Sequence, residues 1–190
     1  LFMPNFQNPL GALMPEDKKR ALVKLVASHG IPIIEDDISS QLYFGEHHPA
    51  PLKANDHEDL ILTCSSFSKT LAPGLRIGWV FPGRRFMERI QNLKAATTVA
   101  TSTLDQYLVA QYLTDGAFER HCRQLRSTLK KQVLRTAFLI QKHFPPGTRL
   151  AIPEGGTLLW VELPSSVDGL QMYREALDQK IAIIPGVVSS

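Results

Sequence analysis

The sequence predicts an α/β fold in which helices flank an open sheet. Short apolar runs alternate along the chain with longer segments of helical period. Two of these runs lead directly into dense polar clusters, as strands do in α/β sheets that bind ligands at their carboxyl ends. At 190 residues, 44% of them hydrophobic, the chain can bury a sizeable core.

The predicted strands are short. We expect core strands at residues 60–64, 77–81 and 31–34, and the end of another strand at residues 1–3. Strand-like segments follow at residues 149–152, 158–163 and 181–184. The predicted helices are residues 15–29, 84–96, 102–114, 118–143 and 170–179.

Two of the predicted helices have clear apolar faces. The first begins at Pro15 and ends at Gly30, a residue suited to a left-handed cap. Its predicted buried residues are Ala21, Leu22, Leu25 and Val26. The long helix has an apolar stripe made of Leu125, Leu129, Val133, Ala137 and Ile140. Its cations lie on the other faces, where solvation is favoured over a nucleic-acid groove because no aromatic residues interleave with them.

Composition limits the expected location of the protein and the kinds of site it can contain. The apolar runs are too short to span a membrane and no leader-like segment opens the sequence, so we expect a cytoplasmic, membrane-free protein. Cys64 and Cys122 lack any C-x-x-C pattern and are expected to be free thiols rather than a disulfide or zinc site. The formal charge of +3 is too small to imply nucleic-acid binding by this segment alone.

The polar loop at residues 65–79 carries the strongest functional signal. It holds an amine at Lys69, hydroxyls at Ser66 and Ser68, and a guanidinium at Arg76, with a Pro-Gly turn that brings the arginine back. Hydroxyls and a forked guanidinium suit a phosphate, and a lysine in a partly dry pocket is a nucleophile. The pattern therefore indicates an anion held beside a reactive amine.

The loop matches two other patterns. A Ser/Lys loop on its own is most often a solvated turn. Ser66 to Lys69 also matches the S-x-x-K pattern of serine acyltransferases, with Ser66 as nucleophile. The S-D-N and K-T-G motifs that accompany that pattern are absent, and the loop runs through Pro73-Gly74 into a strand instead of opening a helix.

Glu35, Asp36 and Asp37 follow the predicted strand at residues 31–34. A magnesium site and a solvated acidic turn are both possible there, but successive strand residues point to opposite faces, so at most two carboxylates could share a ligand. The run Glu46-His47-His48 is expected to be a solvated loop rather than a metal site.

The segment from Ser66 to Trp79 closely resembles the pyridoxal-phosphate (PLP) lysine loop of fold-type I, class I/II aminotransferases. It is most similar to the aminotransferase-like domain of the MocR branch of GntR-type transcriptional regulators. By this resemblance, Lys69 would carry the cofactor covalently and Ser66, Ser68 and Arg76 would hold its phosphate.

Two further positions take roles from the same resemblance. Asn8, in an Asn-Pro-x-Gly turn, would hydrogen-bond the phenolic oxygen of the cofactor, and Asp36 would pair with its pyridine nitrogen, with Asp37 as the second choice. Ser39 stands where relatives usually carry a tyrosine that contacts the phenolic oxygen.

The resemblance also implies the domain organisation. Residues 1–115 would be part of the PLP-binding large domain, with a mainly parallel sheet, and residues 116–190 part of a small α/β C-terminal domain with Gly155-Gly156 beside the substrate. A glycine-rich phosphate loop, an aromatic residue stacked on the pyridine ring and the arginine for the substrate carboxylate would lie in other parts of a longer chain. Members of the family generally build their site across a homodimer.

Two functions follow from the resemblance. One is the effector-sensing domain of a regulator that responds to PLP or an amino compound and contacts DNA only through a separate N-terminal winged-helix domain. The other is a free-standing aminotransferase that moves an amino group between an amino acid and a 2-oxo acid. The basic run at residues 120–126, the acidic turn and Ser39 favour the regulator.

Overall fold

The computed structural model describes residues 1–188. Its helices are α1 (Glu16–His29), α2 (Gly83–Thr97), α3 (Thr103–Thr114), α4 (Ala117–His143) and α5 (Gly169–Asp178). Its strands are β1 (Ile33–Asp36), β2 (Ile61–Ser66), β3 (Gly78–Phe81), β4 (Arg149–Leu150) and β5 (Val161–Glu162). The predicted α/β class is confirmed.

The larger sheet has the order β1-β2-β3. β1 and β2 are parallel, with Asp36 opposite Cys64, whereas β2 and β3 are antiparallel, with Ser66 opposite Gly78. Phe2 extends the sheet on the other side of β1 by a parallel bridge, in which its amide donates to the carbonyl of Ile34 at 2.9 Å. The chain start, β1 and β2 therefore run in one direction and β3 returns.

Helix α1 packs on the sheet through a narrower face than the sequence predicts. Val23 and Val26 join Ile33, Leu52 and Ile61 in a buried cluster. The predicted core residue Leu25 is instead 57% exposed, and Ala21 is exposed as well. The two valines lie three residues apart on the side of the helix that faces the sheet, which turns Leu25 toward solvent.

A lysine occupies one turn of this buried face. Lys19 is fully buried, and its Nζ donates to Glu16 at 2.7 Å and to the carbonyl of Ala50 at 2.6 Å. These partners satisfy an ammonium group that burial alone would penalise. Helix α1 ends at Gly30, which has a left-handed φ of 62° and caps the helix as predicted.

The prediction of a core strand at residues 77–81 is corrected by the exposure of β3. Ile77 is buried, but Trp79, Val80 and Phe81 are 45%, 42% and 61% exposed. β3 is the edge of the described sheet, and within residues 1–188 it pairs with β2 alone. The apolar side chains of β3 are therefore left uncovered by the described part of the chain.

The C-terminal part has less strand than predicted. The segments at residues 149–152 and 158–163 reduce to the two-residue strands β4 and β5, which pair antiparallel. Residues 181–184 form no strand, because no segment of residues 1–188 pairs with them to supply a backbone ladder. The apolar stripe of α4 is confirmed: Val133, Ala137 and Ile140 are buried, while Leu125 and Leu129 are half-buried.

Gly116, with a left-handed φ of 64°, separates α3 from α4 at the expected boundary between residues 1–115 and 116–190. The division into two domains at this point stays a prediction. Cys64 and Cys122 are both free thiols. Within residues 1–188, no helix is long and apolar enough to cross a membrane.

Glu35 links the sheet to the segment that follows β1. It is fully buried, and its carboxylate accepts hydrogen bonds from the Leu52 amide at 2.5 Å, from Thr63 Oγ1 at 2.8 Å and from the Lys53 amide at 3.3 Å. Burial raises the pKa of the Glu35 carboxyl above its ordinary value of 4.5, although the hydrogen bonds oppose this.

A Glu35→Gln variant of the whole protein tests this assignment. Because the folded-state pKa is raised, the folded state holds more protons than the unfolded state between pH 4.5 and the raised pKa, so wild-type stability falls as pH rises through that window. Glutamine removes the titration, and its own cost is independent of pH. We expect the thermal midpoint of the wild type to fall relative to that of Glu35→Gln as pH increases; midpoints that run parallel would contradict the buried, titrating carboxyl.

Candidate functional site

Three parallel segments end at one edge of the sheet. Beyond Phe2 the chain turns through Asn8, β1 ends at Asp36, and β2 ends at Ser66. The Asp36 amide donates to the carbonyl of Phe2 at 2.8 Å, and the next amide, Asp37, donates to the carbonyl of Cys64 at 2.9 Å. The turn with Asn8, the acidic cluster and the lysine loop are therefore brought to the same edge, as expected for strands that share a direction.

Asp36 and Asp37 differ sharply in their partners. Asp37 accepts from Asn5 Nδ2 at 2.9 Å and from Ser40 Oγ at 2.7 Å, so both of its oxygens are engaged. Burial raises the pKa of the Asp37 carboxyl, while Ser40 and Asn5 oppose the rise. Asp36 accepts only from the Ile38 amide, at 3.1 Å, through Oδ1. Its other oxygen has no partner among residues 1–188, which leaves Asp36 as the carboxylate able to contact a ligand.

The metal-site alternative finds no support in this arrangement. Glu35 and Asp37 are engaged with the surrounding backbone and side chains, so neither is free to join Asp36 around an ion. In the part of the chain that the structure describes, no three His, Cys, Asp or Glu side chains are grouped so as to hold an ion. His47 is exposed, and His48 contacts the Tyr43 ring edge-on at 5.6 Å.

Asn5 is a residue that the sequence analysis missed. It is fully buried, and its Nδ2 donates to Asp37 and, at 3.4 Å, to the carbonyl of Ala50. Its Oδ1 is buried without a partner in the described residues. Asn5 thus ties the turn that carries Asn8 to the end of β1. Nothing in the local sequence distinguishes it from an ordinary turn asparagine, because its partners lie more than 30 residues away.

The lysine loop begins with a tight turn. The amides of Leu71 and Ala72 both donate to the carbonyl of Phe67, at 2.8 and 3.1 Å, and the Ser68 amide donates to Ser66 Oγ at 3.3 Å. Lys69 lies on this turn and is exposed, so residues 1–188 do not build the partly dry pocket that the sequence suggested. Within that range Lys69 forms no ion pair, and its amine is accessible.

Apolar side chains of the same loop anchor it from below. Phe67, Ile77 and Val109 form a buried cluster against which Leu71, Leu75 and Phe118 pack. The Phe67 ring lies 4.9 Å from the Trp79 ring and 5.6 Å from the Phe118 ring, the latter edge-on. The cluster fixes the backbone of the turn through Phe67 and Leu71, while Ser66, Ser68 and Lys69 are left less buried.

Arg76 closes the loop. A short 3₁₀ helix, Pro73–Leu75, precedes it, and Arg76 itself adopts a left-handed φ of 53°. Its guanidinium is exposed and donates to the carbonyl of Pro73 at 3.4 Å. Among the described residues it has no carboxylate partner, so its charge is available to an anion.

The Gly155-Gly156 turn packs against the segment that follows β1. Tyr43 pairs with Gly155, the Phe44 amide donates to the carbonyl of Glu154 at 2.7 Å, and the Gly156 amide donates to the carbonyl of Leu42 at 2.9 Å. A Cβ at Gly155 would overlap the ring of Phe6, whose Cε2 lies 2.7 Å from that position. Only glycine allows this approach, which brings the turn against the segment that leads to Asn8.

Helix α4 also contacts the segment that follows β1. The Arg126 guanidinium lies 4.3 Å from the centre of the Tyr43 ring and donates to the carbonyl of Gln41 at 3.3 Å. Lys130 Nζ donates to the carbonyl of Phe44 at 3.1 Å. The C-terminal part of the chain therefore contacts residues 41–44, which lie only a few positions after Asp36 and Asp37 in the sequence.

The family is established by comparison with known proteins. The model of the aminotransferase class I and II family matches residues 1–189, so the chain belongs to that family. Pyridoxal phosphate is the cofactor that this family and its solved relatives indicate, as the sequence analysis expected.

Individual relatives fall into two groups. The chain is 39% identical over 188 residues to the uncharacterized HTH-type transcriptional regulator YdcR of Escherichia coli K12, a match that covers 99% of this chain and 40% of that protein. It is 31% identical to aromatic-amino-acid aminotransferase 1 of Thermococcus litoralis, over 97% of this chain and 44% of that enzyme. The chain is thus an aminotransferase-like domain with relatives that are regulators and relatives that are enzymes, and it spans less than half the length of either.

A solved structure shows the same fold. LysN, the α-aminoadipate aminotransferase of Thermus thermophilus, superposes with a TM-score of 0.90 and 29% identity, over 97% of this chain and 48% of that one. Its crystal structure holds N-(5'-phosphopyridoxyl)-L-leucine. The predicted fold-type I class, that of PLP-dependent transferases, is confirmed.

Proposed function

We propose that this chain is the PLP-binding, effector-sensing part of a MocR/GntR-type transcriptional regulator. The observation that carries the PLP-binding assignment is the shared edge of the three parallel segments, where Asp36 keeps an open carboxylate oxygen while Asp37 and Glu35 are engaged elsewhere. The regulator assignment is supported by the 39% identity to an HTH-type regulator, against 31% to an aminotransferase.

The residues present fit the cofactor. Its phosphate needs hydroxyl donors and a cation, and Ser66, Ser68 and Arg76 supply them on one anchored loop. Its pyridine nitrogen needs an acidic partner, which Asp36 provides. Its phenolic oxygen needs a donor, and the exposed Asn8 side chain forms no other hydrogen bond within residues 1–188.

Each side chain would have a separate task. When bound, pyridoxal phosphate supplies an aldehyde that condenses with amines and a ring that accepts electrons. Lys69 Nζ would hold the cofactor covalently, and in an enzyme it would also take the proton from the α-carbon of the amino compound. The Asp36 carboxylate would hold a proton on the ring nitrogen, which makes the ring a better electron acceptor.

The ligand class follows from the reactive amine. The ligand would be an amino acid or a related amino compound, since it would present an amine of the same kind as Lys69 Nζ to the cofactor. DNA would be contacted by a separate N-terminal winged-helix domain, and the protein would act in the cytoplasm as a homodimer. The exposed apolar residues of β3 are consistent with further protein surface covering this part of the chain.

A free-standing aminotransferase is the second candidate, because the T. litoralis and T. thermophilus relatives are aminotransferases. Ser39 favours the regulator. It is buried with 9% of its surface exposed, and its hydroxyl is too short to reach where the longer tyrosine side chain of relatives extends. Loss of that contact would weaken catalysis more than cofactor binding.

Single alanine variants separate the two aspartates. Asp36→Ala removes a charge-assisted hydrogen bond worth about 1.5–3 kcal/mol, so PLP affinity should fall by roughly 10- to 150-fold. Asp37→Ala strands the buried amide of Asn5 and should lower the thermal midpoint, with a much smaller change in PLP affinity. Fluorescence titration with PLP and thermal unfolding of both variants give the comparison. Equal or reversed effects on affinity would assign the pyridine contact to Asp37.

Ligand-dependent DNA binding tests the regulator assignment in the whole protein. We expect PLP or an amino compound to shift its affinity for operator DNA by a coupling of about 1–3 kcal/mol, or roughly 5- to 150-fold. Lys69→Ala should abolish the PLP-dependent part of the shift and leave the salt-sensitive contacts of the DNA-binding domain intact, because Lys69 lies outside that domain. A whole protein without a DNA-binding domain that transaminates at ordinary enzyme rates would instead establish the aminotransferase.

A further inference from the structure

The positive charge of this chain is concentrated on α4. This helix contains seven of the 21 Lys and Arg residues and one of the 18 Asp and Glu residues, which leaves 14 cations against 17 carboxylates in the rest of the chain. The formal charge of +3 therefore conceals a strongly basic helix on an otherwise slightly acidic chain.

Five of these cations lie on the outer side of the helix, and we call them the basic face. They are Arg120, Arg123, Lys131, Arg135 and Lys142, and all five are exposed. At about 100° per residue they fall within an arc of roughly 120°, opposite the buried Cys122, Val133 and Ile140. The only acidic residue of α4, Glu119, lies outside this arc.

The charges of the basic face are not neutralised internally. Within residues 1–188, none of the five side chains forms an ion pair with a carboxylate, and the one hydrogen bond among them joins Arg120 to the carbonyl of Asp115 at 3.4 Å. Arg126 and Lys130, on the flank of the helix, instead bind residues 41–44. The structure thus divides the cations of α4 into two that hold the fold together and five that face solvent.

We propose that the basic face binds the phosphate backbone of double-stranded DNA beside the operator. From Arg120 to Lys142 it extends about 33 Å at 1.5 Å per residue, close to one turn of B-DNA. The same arc holds the exposed residues Gln124, Ser127 and Gln141, whose side chains are of the type that can donate to phosphate oxygens. This proposal rests on the proposed function, since a tethered DNA-binding domain keeps DNA at high local concentration and makes weak backbone contacts effective.

Other anionic partners fit the face less well. Single-stranded nucleic acid is bound by several aromatic side chains interleaved with cations. The arc contains one aromatic residue, Phe138, where the sequence analysis expected none, and one ring does not form a stacking platform. A membrane-surface helix needs a continuous apolar face free, whereas the apolar stripe of α4 is buried against the protein, and the arc exposes two large apolar side chains, Leu134 and Phe138. Duplex DNA needs only an unpaired row of cations, and the face supplies that row.

The test compares two charge-matched variants of the whole protein. One is the triple variant Arg120→Gln, Lys131→Gln and Arg135→Gln on the basic face. The control is Lys18→Gln, Arg20→Gln and Lys24→Gln, which removes three exposed cations from α1 and changes the net charge equally. Each is titrated over a salt series with two duplexes selected by the wild-type protein. One duplex is limited to the footprint of the DNA-binding domain, and the other extends about three helical turns to each side.

On the extended duplex, the face variant should bind roughly tenfold more weakly than the wild type. The slope of its log affinity against log salt should also be shallower by about 2–3, because each lost phosphate contact removes about 0.9 from the slope. On the footprint duplex it should match the wild type, and the α1 control should match the wild type on both.

Several results would overturn the proposal. A face variant with the wild-type slope on extended DNA would show that these cations do not contact DNA. An equal loss of DNA affinity in the α1 control would show that the effect comes from net charge alone. If the face variant loses binding to poly-glutamate or to anionic vesicles while the salt slope of its DNA binding is unchanged, the partner of the basic face is an acidic protein or a membrane. A wild-type protein that binds no duplex at all would remove the proposed regulator function together with this inference, so the two failures are distinguishable.

Discussion

The parallel pairing of β1 and β2 is the constraint on which the candidate site depends. With Asp36 opposite Cys64, both strands deliver their polar residues to the same edge, and the bridge from Phe2 adds the turn that carries Asn8. A shift of one residue in this register would turn Asp36 to the opposite face and expose the carboxylate of Glu35 or Asp37 instead. The register is fixed by burial: Ile33 and Ile61, which face each other across the two strands, belong to the same buried cluster as α1.

Adjacent residues in this structure take opposite roles. Glu35 is buried and Asp37 is half-buried, and both carboxylates are engaged by neighbouring groups, whereas Asp36 between them keeps an oxygen free. In the lysine loop, Phe67 is packed among aromatic rings while Ser66, Ser68 and Lys69 on either side are less buried. The same separation occurs on α4, where Arg126 and Lys130 join the C-terminal part to the segment after β1 and the outer cations remain unpaired.

The sequence predicts local features well and distant contacts poorly. The cap of α1, the apolar stripe of α4, the strand before the lysine loop and the acidic strand end all follow from periodicity and turn chemistry. The exposure of β3 and the absent strand at residues 181–184 could not be predicted, because both depend on what pairs with or covers those residues. Asn5 was missed for a similar reason, since its role comes from Asp37 and Ala50, far along the chain. The roles of Asn8, Asp36, Ser66, Ser68, Lys69 and Arg76 came from the family resemblance, and they stay predictions.

Borohydride trapping on the whole protein tests the central claim most directly. After incubation with PLP and reduction, peptide mapping by mass spectrometry locates the lysine that carries the cofactor. The account predicts the label on Lys69, in the peptide between Phe67 and Arg76, and its loss in Lys69→Arg, which keeps the positive charge but cannot form the bond. A label on another lysine, or none on the folded wild-type protein, would contradict the assignment of this loop as the cofactor site.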